Sequence, residues 1–482
     1  MEPVFEFPIV FDDRLQAGRM RQLHEQLRAA ILDQRLRQGT SLPSTRDVAA
    51  SCRVARNTVI AAYDLLIAEG YALPRKGARA VVADIATRRV SKPRRLTAAH
   101  GDARMNPAWG AASLQPQPPR DLPERSFRLG IPEHRHFPHA AWRRLSAQSL
   151  RAWSKTPFSY APSEGLPLLR EAIAQHVAFA RAVACRSDDV IVTSGAQQAF
   201  DLLARLLVVP RRTRVAIEDP GYMPLRSAFA AAGARLVPVP VDDEGMCVDR
   251  LPKDVRVISV TPSHQSPTGV ALSSRRRLQL LEFARNHGAV IIEDDYDGEF
   301  RFGGRPLDAL QTLDGDALVF YVGTFSKSLF PGLRKGFIVA PPWARAALVG
   351  VKHCADSHSD TITQSVLAAF IRDGHLARHV RRMRPIYAAR REALLDGLRR
   401  ELGDWLEPIA SEAGLHLAVR VREPQMFARI LGQAQRFTPG VQSTDEYSSK
   451  PLAVPALVFG YGVIDVEAIV PALMRLRRAL TR

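Results

Sequence analysis

The sequence predicts two folded domains of different class: a small helical domain at the N-terminus and a large α/β domain with a mainly parallel sheet behind it. Three observations predict this. The chain has 482 residues, more than one hydrophobic core usually serves. Its first part carries apolar residues at helical spacing, whereas its later part alternates short apolar strands with helical stretches. Between them lies a stretch with Pro93, Pro107, Pro116, Pro118, Pro119 and Pro123 among Ala, Gly and Gln, too poor in apolar residues to bury a core and inclined to extended chain. The expected division is 1–85, a basic Pro-rich linker at 86–125, and 126–482.

Composition narrows the class further. Hydrophobic residues make up 46%, which argues against wholesale disorder. No uninterrupted apolar run reaches the length of a membrane span, and the acidic start MEPVFEFPIVFDDRLQ is unlike a secretory signal. Cys52, Cys185, Cys247 and Cys354 are widely spaced, so reduced thiols and a cytoplasmic location are expected. The net charge is +18. Residues 1–85 contribute +2, residues 86–125 contribute +5 and the remainder +11, so total charge says little about which domain meets a polyanion.

In the first domain, RMRQLHEQLRAAILDQR places Leu23, Leu27, Ala30 and Ile31 on one helical face. Ser44 is placed to cap a short second helix, DVAASC. A third helix begins at Arg56-Asn57-Thr58, with Val59, Ile60, Tyr63, Leu66 and Ile67 expected to face inward. Gly70 ends it, and Tyr71-Ala72-Leu73 and Ala80-Val81-Val82 are expected to form a hairpin with a basic tip at Arg75-Lys76-Gly77-Ala78-Arg79. This is the order of a winged helix-turn-helix, whose third helix presents its N-terminal residues to DNA. The stretch GTSLPSTRDVAASCRVARNTVIAAYDLLIAEGY resembles the DNA-binding domain of the GntR family. The resemblance implies that Ser44, Arg46, Arg56, Asn57 and Thr58 face DNA, with Lys76 and Gly77 in the wing. Ala55 stands where the family often has Ser, and Arg79 replaces the wing's usual second glycine.

In the second domain, five apolar strands are expected at Val190–Thr193, Arg214–Ile217, Val255–Val260, Ala289–Ile292 and Leu318–Val322. Each ends in polar residues, where open α/β sheets bind ligands. Ser194-Gly195-Ala196-Gln197 opens a helix whose free N–H groups suit a phosphate. Lys327 lies in a small-residue loop after Thr324 and Ser326, with Arg334 seven residues on. Such a lysine can form a Schiff base while its neighbours hold a phosphate. Asp294 follows a buried strand and needs a partner, such as a protonated ring nitrogen. Tyr296 is placed to donate to a phenolic oxygen, and Tyr222 to stack on an aromatic ring.

Together GTFSKSLFPGLRKGF, IIEDDYDGEF, SGAQQAF and EDPGY resemble fold-type-I, pyridoxal phosphate-dependent aminotransferases of class I/II, which have a large sheet subdomain and a smaller C-terminal one. The resemblance implies a Schiff base at Lys327, a pyridine-nitrogen partner at Asp294, Tyr296 on the cofactor oxygen and Tyr222 over the ring. It also implies Gly195, Ala196, Gln197, Thr324 and Arg334 around the phosphate, with Tyr160 reaching the phosphate of a partner subunit in a homodimer.

A GntR-type domain followed by an aminotransferase-like domain resembles the MocR/GabR family of transcriptional regulators. Expected partners are double-stranded promoter DNA, a second copy of the chain, and a small effector: an amine, an amino acid or a B6 vitamer. Three departures bear on that effector. Ser266 stands where aminotransferases usually have Asn. The position resembling their substrate-carboxylate arginine falls at Val458. Met223-Pro224 follows Tyr222 without a second arginine. Net turnover is therefore not expected; the alternative is a working aminotransferase with an appended DNA-binding domain.

Overall fold

The computed structural model describes residues 4–12, 17–75, 78–84, 109, 114, 122–156, 159–303 and 308–482. The chain divides into two compact units, Met1–His100 and Gly101–Arg482.

The first unit contains α1 (Arg19–Leu32), α2 (Thr45–Cys52) and α3 (Arg56–Ala68), then the hairpin β1 (Ala72–Arg75) and β2 (Ala78–Val82). Ser44 caps α2 by accepting from the Asp47 N–H at 3.2 Å. Leu23, Leu27, Ala30 and Ile31 of α1 pack with Val59, Ala62, Tyr63 and Leu66 of α3. Ile60, expected inside, is 36% exposed. Val59, Ala62, Tyr63 and Leu66 already fill the inward stripe at 3.6-residue spacing, and Ile60 falls beside it. Segment 39–42 adds to the hairpin through bonds from Gly39 N–H to Val82 O and from Leu42 N–H to Ala80 O. Lys76, Gly77 and the linker cations Arg88, Arg89, Lys92, Arg94 and Arg95 lie outside the described residues.

The second unit opens with α4 (His139–Trp153) and α5 (Pro167–Arg181). It continues through β3 (Val190–Thr193), α6 (Ala196–Leu207), β4 (Arg214–Asp219), α7 (Met223–Ala231), β5 (Arg235–Asp242), β6 (Gly245–Met246), β7 (Val257–Val260), α8 (Ser274–His287), β8 (Val290–Asp295), β9 (Val319–Thr324) and β10 (Gly336–Val339). These strands form one sheet of order β3-β10-β9-β8-β7-β4-β5-β6. The run β9-β8-β7-β4-β5 is parallel. β10 lies antiparallel between β9 and β3, so β3 points the same way as the parallel run. The five expected strands are all present; Val190–Thr193 is matched at both ends, and the other four have boundaries shifted by up to three residues.

The rest forms a smaller layer. Helices α9 (Arg345–Asp356), α10 (Thr361–Arg372) and α11 (His375–Leu402) lead to β11 (Leu406–Pro408), β12 (His416–Val421), α12 (Phe427–Phe437), β13 (Gln442–Ser443), β14 (Ala456–Gly460) and α13 (Val466–Leu480). The four strands make an antiparallel sheet of order β11-β12-β14-β13. Among the described residues, no helix is long and apolar enough to cross a membrane.

Alternate residues of the central strands enter different cores, as the pleat requires. Ile292, Phe320 and Val322 pack against α6 and α7, whereas Ile291 and Val319 pack against α8. This two-sided burial is why the strands read as continuous apolar runs. It also fixes the strand ends that carry Asp294 and Thr324. Ile292 is fully buried, two residues before Asp294. Ile292→Ala should cost about 2–5 kcal/mol through lost transfer energy and the cavity left behind, read as a lowered chemical-denaturation midpoint of the full chain without added ligands.

Candidate functional site

The C-terminal ends of β3, β4, β7, β8 and β9 deliver polar residues to one cavity of about 310 Å³. Ala196, Gln197, Tyr222, Asp294, Tyr296, Thr324, Lys327 and Arg334 all line it. Gly195 lies just behind, against the Arg334 guanidinium.

Asp294 is buried, and its Oδ1 has no hydrogen-bond partner. Burial, then the charges of Asp295, Asp297 and Glu218, push its carboxyl well above the ordinary range, with Lys327 opposing. Burial also holds the Lys327 amine below its ordinary value, against the pull of Asp297 and Asp294. Lys327 Nζ donates to the Gly130 carbonyl at 2.7 Å. A Cβ at Gly130 would stand 2.6 Å from that nitrogen, and Gly130 has φ +67°; glycine alone lets the backbone approach the amine in this conformation.

At the other end of the cavity, α6 begins at Gly195 without a side-chain cap. Its first N–H groups and the positive end of the helix are therefore free to meet an anion. Arg334 joins them: its guanidinium donates to Ser194 O at 2.8 Å. Thr324 Oγ1 donates to Ser326 Oγ at 3.0 Å, and both residues line the same space. Tyr222 packs edge-on against Phe200, ring centroids 6.1 Å apart. Tyr296 Oη lies 3.0 Å from His264 Nδ1. Tyr160 does not line this cavity; it is 87% exposed and borders a separate groove with Trp153, Leu166 and Leu168.

In the first unit Arg46, Arg56 and Asn57 are exposed and Thr58 is half-buried. Helix α3 starts at Arg56 with no side-chain cap, leaving its first N–H groups open beside the Arg56 and Asn57 side chains. Arg56 Nε donates to Thr45 Oγ1 at 3.3 Å. Ser44 is partly committed to its cap and donates to Asp47 Oδ2 at 2.6 Å.

The profile of the family "Bacterial regulatory proteins, gntR family" matches residues 19–82, and that of "Aminotransferase class I and II" matches residues 127–439. The probable rhizopine catabolism regulatory protein MocR of Rhizobium meliloti is 38% identical, over 98% of this chain and 95% of its own length. The chain belongs to the MocR type of GntR-family transcriptional regulators. The pyridoxine biosynthesis regulator PdxR of Corynebacterium glutamicum is 30% identical to this regulator over 96% of each chain. Among solved structures, the α-aminoadipate aminotransferase LysN of Thermus thermophilus superposes with a TM-score of 0.70 at 28% identity, covering 79% of the regulator and 97% of LysN. The regulator is thus a DNA-binding protein whose large unit has the fold of pyridoxal phosphate-dependent aminotransferases.

Several cavity residues of the regulator escape a reading by pattern. Leu129 and Gly130 belong to an irregular segment without periodicity, and His416 opens a strand of the other sheet. His416 Nε2 bonds Pro267 O at 3.1 Å; burial and the neighbouring His264 hold its pKa down to about 3. Val458 is fully buried outside the cavity lining. The segment carrying Gly130 is tied down by Glu133, whose N–H donates to Tyr387 Oη at 2.9 Å and whose buried carboxylate meets Arg390 and Arg135. Burial raises the Glu133 carboxyl, but the bonds from Arg135 and Arg390 outweigh it and hold the group well below the usual range.

Removing one partner of a buried pair leaves the other charge stranded, at about 3–5 kcal/mol, so Glu133→Gln should lower the denaturation midpoint at neutral pH. Folding lowers this pKa. The pair's contribution is therefore full above the unfolded carboxylate value of about 4.3 and fades as the pH falls below it. The gap between wild type and variant should narrow under acid in a pH series of denaturant melts.

Proposed function

We propose that the regulator carries pyridoxal phosphate on Lys327 and that a small molecule reacting there alters how the winged helix holds promoter DNA. One observation carries the cofactor reading above the others: a buried carboxylate oxygen of Asp294 without a partner shares a cavity with the Lys327 amine. A carboxylate out of water calls for a cation or a donor, and a protonated pyridine nitrogen supplies both. Gly195, Ala196, Gln197, Thr324 and Arg334 would hold the phosphate, Tyr222 would cover the ring, and Tyr296 would face the phenolic oxygen. Bound there, the cofactor supplies an electrophilic carbon that exchanges Lys327 for an incoming amine. Residues 126–482 would form the effector and dimerisation domain, residues 1–85 the DNA-binding domain, and 86–125 the tether.

The cavity composition bears on the effector. Lys327 and Arg334 are the cationic side chains among its described lining residues, and both are engaged by the cofactor reading. No further guanidinium is present there to clamp an α-carboxylate bidentately. This favours an effector recognised through its amine or aldehyde and ring, such as a B6 vitamer, over an amino acid bound in the aminotransferase manner. PdxR, by its name a regulator of pyridoxine biosynthesis, is a relative consistent with that choice. The exposed Tyr160 beside its groove supports a homodimer in which it completes the partner's phosphate site.

Lys327→Ala should abolish the visible absorbance that the purified protein acquires with pyridoxal phosphate, with circular dichroism unchanged. A wild-type protein that never takes colour defeats the cofactor reading. Sustained transamination of ordinary amino acids would instead favour the working enzyme with an appended DNA-binding domain. Arg56→Ala should weaken specific operator binding by about 1–3 kcal/mol, measured by anisotropy at fixed salt. Undiminished affinity and specificity would remove Arg56 from the DNA interface.

A further inference from the structure

Behind Tyr296 the chain builds a buried assembly that binding of a ring and a phosphate does not require. The His264 side chain is 1% exposed and that of Asp297 2%. His264 Nδ1 lies 3.1 Å from both carboxylate oxygens of Asp297 and 3.0 Å from Tyr296 Oη. The packing is tailored to this ring. Gly414 has φ +83°, and a Cβ there would stand 1.9 Å from His264 Cε1 and 2.6 Å from Asp297 Oδ2; a Cβ at Gly269 would stand 3.2 Å from His264 Nε2. Two glycines from separate segments make the room.

The proton positions follow from the partners. Asp297 only accepts when ionised, so the contact requires a proton on His264 Nδ1. His264 Nε2 is buried with no partner. An idle lone pair there is tolerable, whereas an idle buried N–H⁺ would be far more costly, so the neutral ring protonated at Nδ1 is the consistent tautomer. That nitrogen cannot accept from Tyr296, and the tyrosine oxygen must instead take part of the same N–H. Ser266 lines the same cavity as Tyr296. With its oxygen receiving that N–H, the phenol has its own proton left for the cavity.

We infer that His264 and Asp297 are positioning residues that fix the Tyr296 hydroxyl as a donor aimed into the cavity, an inference resting on the reading of that cavity as the cofactor site.

The test uses the full chain loaded with pyridoxal phosphate and follows visible absorbance against pH for wild type, Tyr296→Phe, His264→Phe, Asp297→Asn and the double variant His264→Phe/Tyr296→Phe. Losing a donor to the phenolic oxygen leaves more negative charge to hold the proton shared with the Lys327 nitrogen. The spectral midpoint should therefore rise in Tyr296→Phe by about one pH unit or more, the size of a lost charge-assisted hydrogen bond. His264→Phe should raise it in the same direction; Asp297→Asn, which also removes a charge that favours the protonated Lys327 nitrogen, should fall below His264→Phe. The double variant should match Tyr296→Phe alone, because both changes act through one hydroxyl. Asp294 and Glu218, the other acids bearing on Tyr296 besides Asp297, are unchanged throughout. His416, which faces His264 at 4.5 Å between ring centroids, is unchanged too.

A wild-type midpoint in His264→Phe, or shifts that add in the double variant, would overturn the inference while the colour of the wild type still upholds the cofactor reading. If His264→Phe fails to fold, His264→Leu decides in its place. A wild-type midpoint that moves on dialysis against a chelator would also overturn it. That result would assign His264, Asp297 and His416, whose ligand atoms lie within 4.8 Å of one another, to a metal ion.

Discussion

A carboxylate taken out of water with one oxygen unpaired is costly, and the large unit is organised around such a group. Asp294 is the penultimate residue of β8, a strand buried on both faces. Strands β7 and β9 on either side fix its height and direction. Glu218, Asp295 and Asp297 crowd it with like charge. Lys327 stands in the same cavity, and its own burial lowers its amine. The acids and the base are held apart in a space with an anion cradle at its far end. This arrangement suits the proposed cofactor, which is cationic at one end, electrophilic in the middle and anionic at the other.

The surroundings serve that arrangement through rigid ties. Arg334, with φ 49°, bridges back to the start of α6, so the anion cradle joins two segments about 140 residues apart in sequence. Glu133 ties the irregular strap bearing Gly130 to α11 through Arg390 and Tyr387, which sets the carbonyl that receives Lys327. On the far side, His264, Asp297 and Gly414 bring together the loop after β7, the loop after β8 and the turn before β12. The small sheet is thus part of the wall of the site. The DNA-reading unit is built on another principle. It carries little net charge, and its α3 starts without a side-chain cap beside the exposed Arg56 and Asn57.

Much of this was legible beforehand because it follows from local rules. Two-sided burial makes parallel strands apolar throughout, so all five expected strands appear. Polar residues at their ends can only project beyond the sheet, so eight of the anticipated cofactor contacts meet in one cavity. The order of β10 between β9 and β3 was not legible. Gly336–Val339 is as apolar as its neighbours, and its reversed direction is set by the path of the 325–335 loop, not by its side chains. Ile60 was misplaced because the inward stripe of α3 is narrower than its supply of apolar residues.

The sequence by itself determined the two domain classes, their order, the position of the lysine, the strand-end carboxylate and the start of the third helix, because each depends on neighbours within a turn or a strand. Only the tertiary structure decided that Gly130, His264 and His416 belong to the same site. Their chemistry arises from contacts spanning 30 to 200 residues, between Asp297 and His264, Tyr296 and His264, and Lys327 and Gly130. A lone histidine or glycine in a sequence carries no sign of the partner that folding will bring to it, and the position of a shared proton depends on every such partner at once.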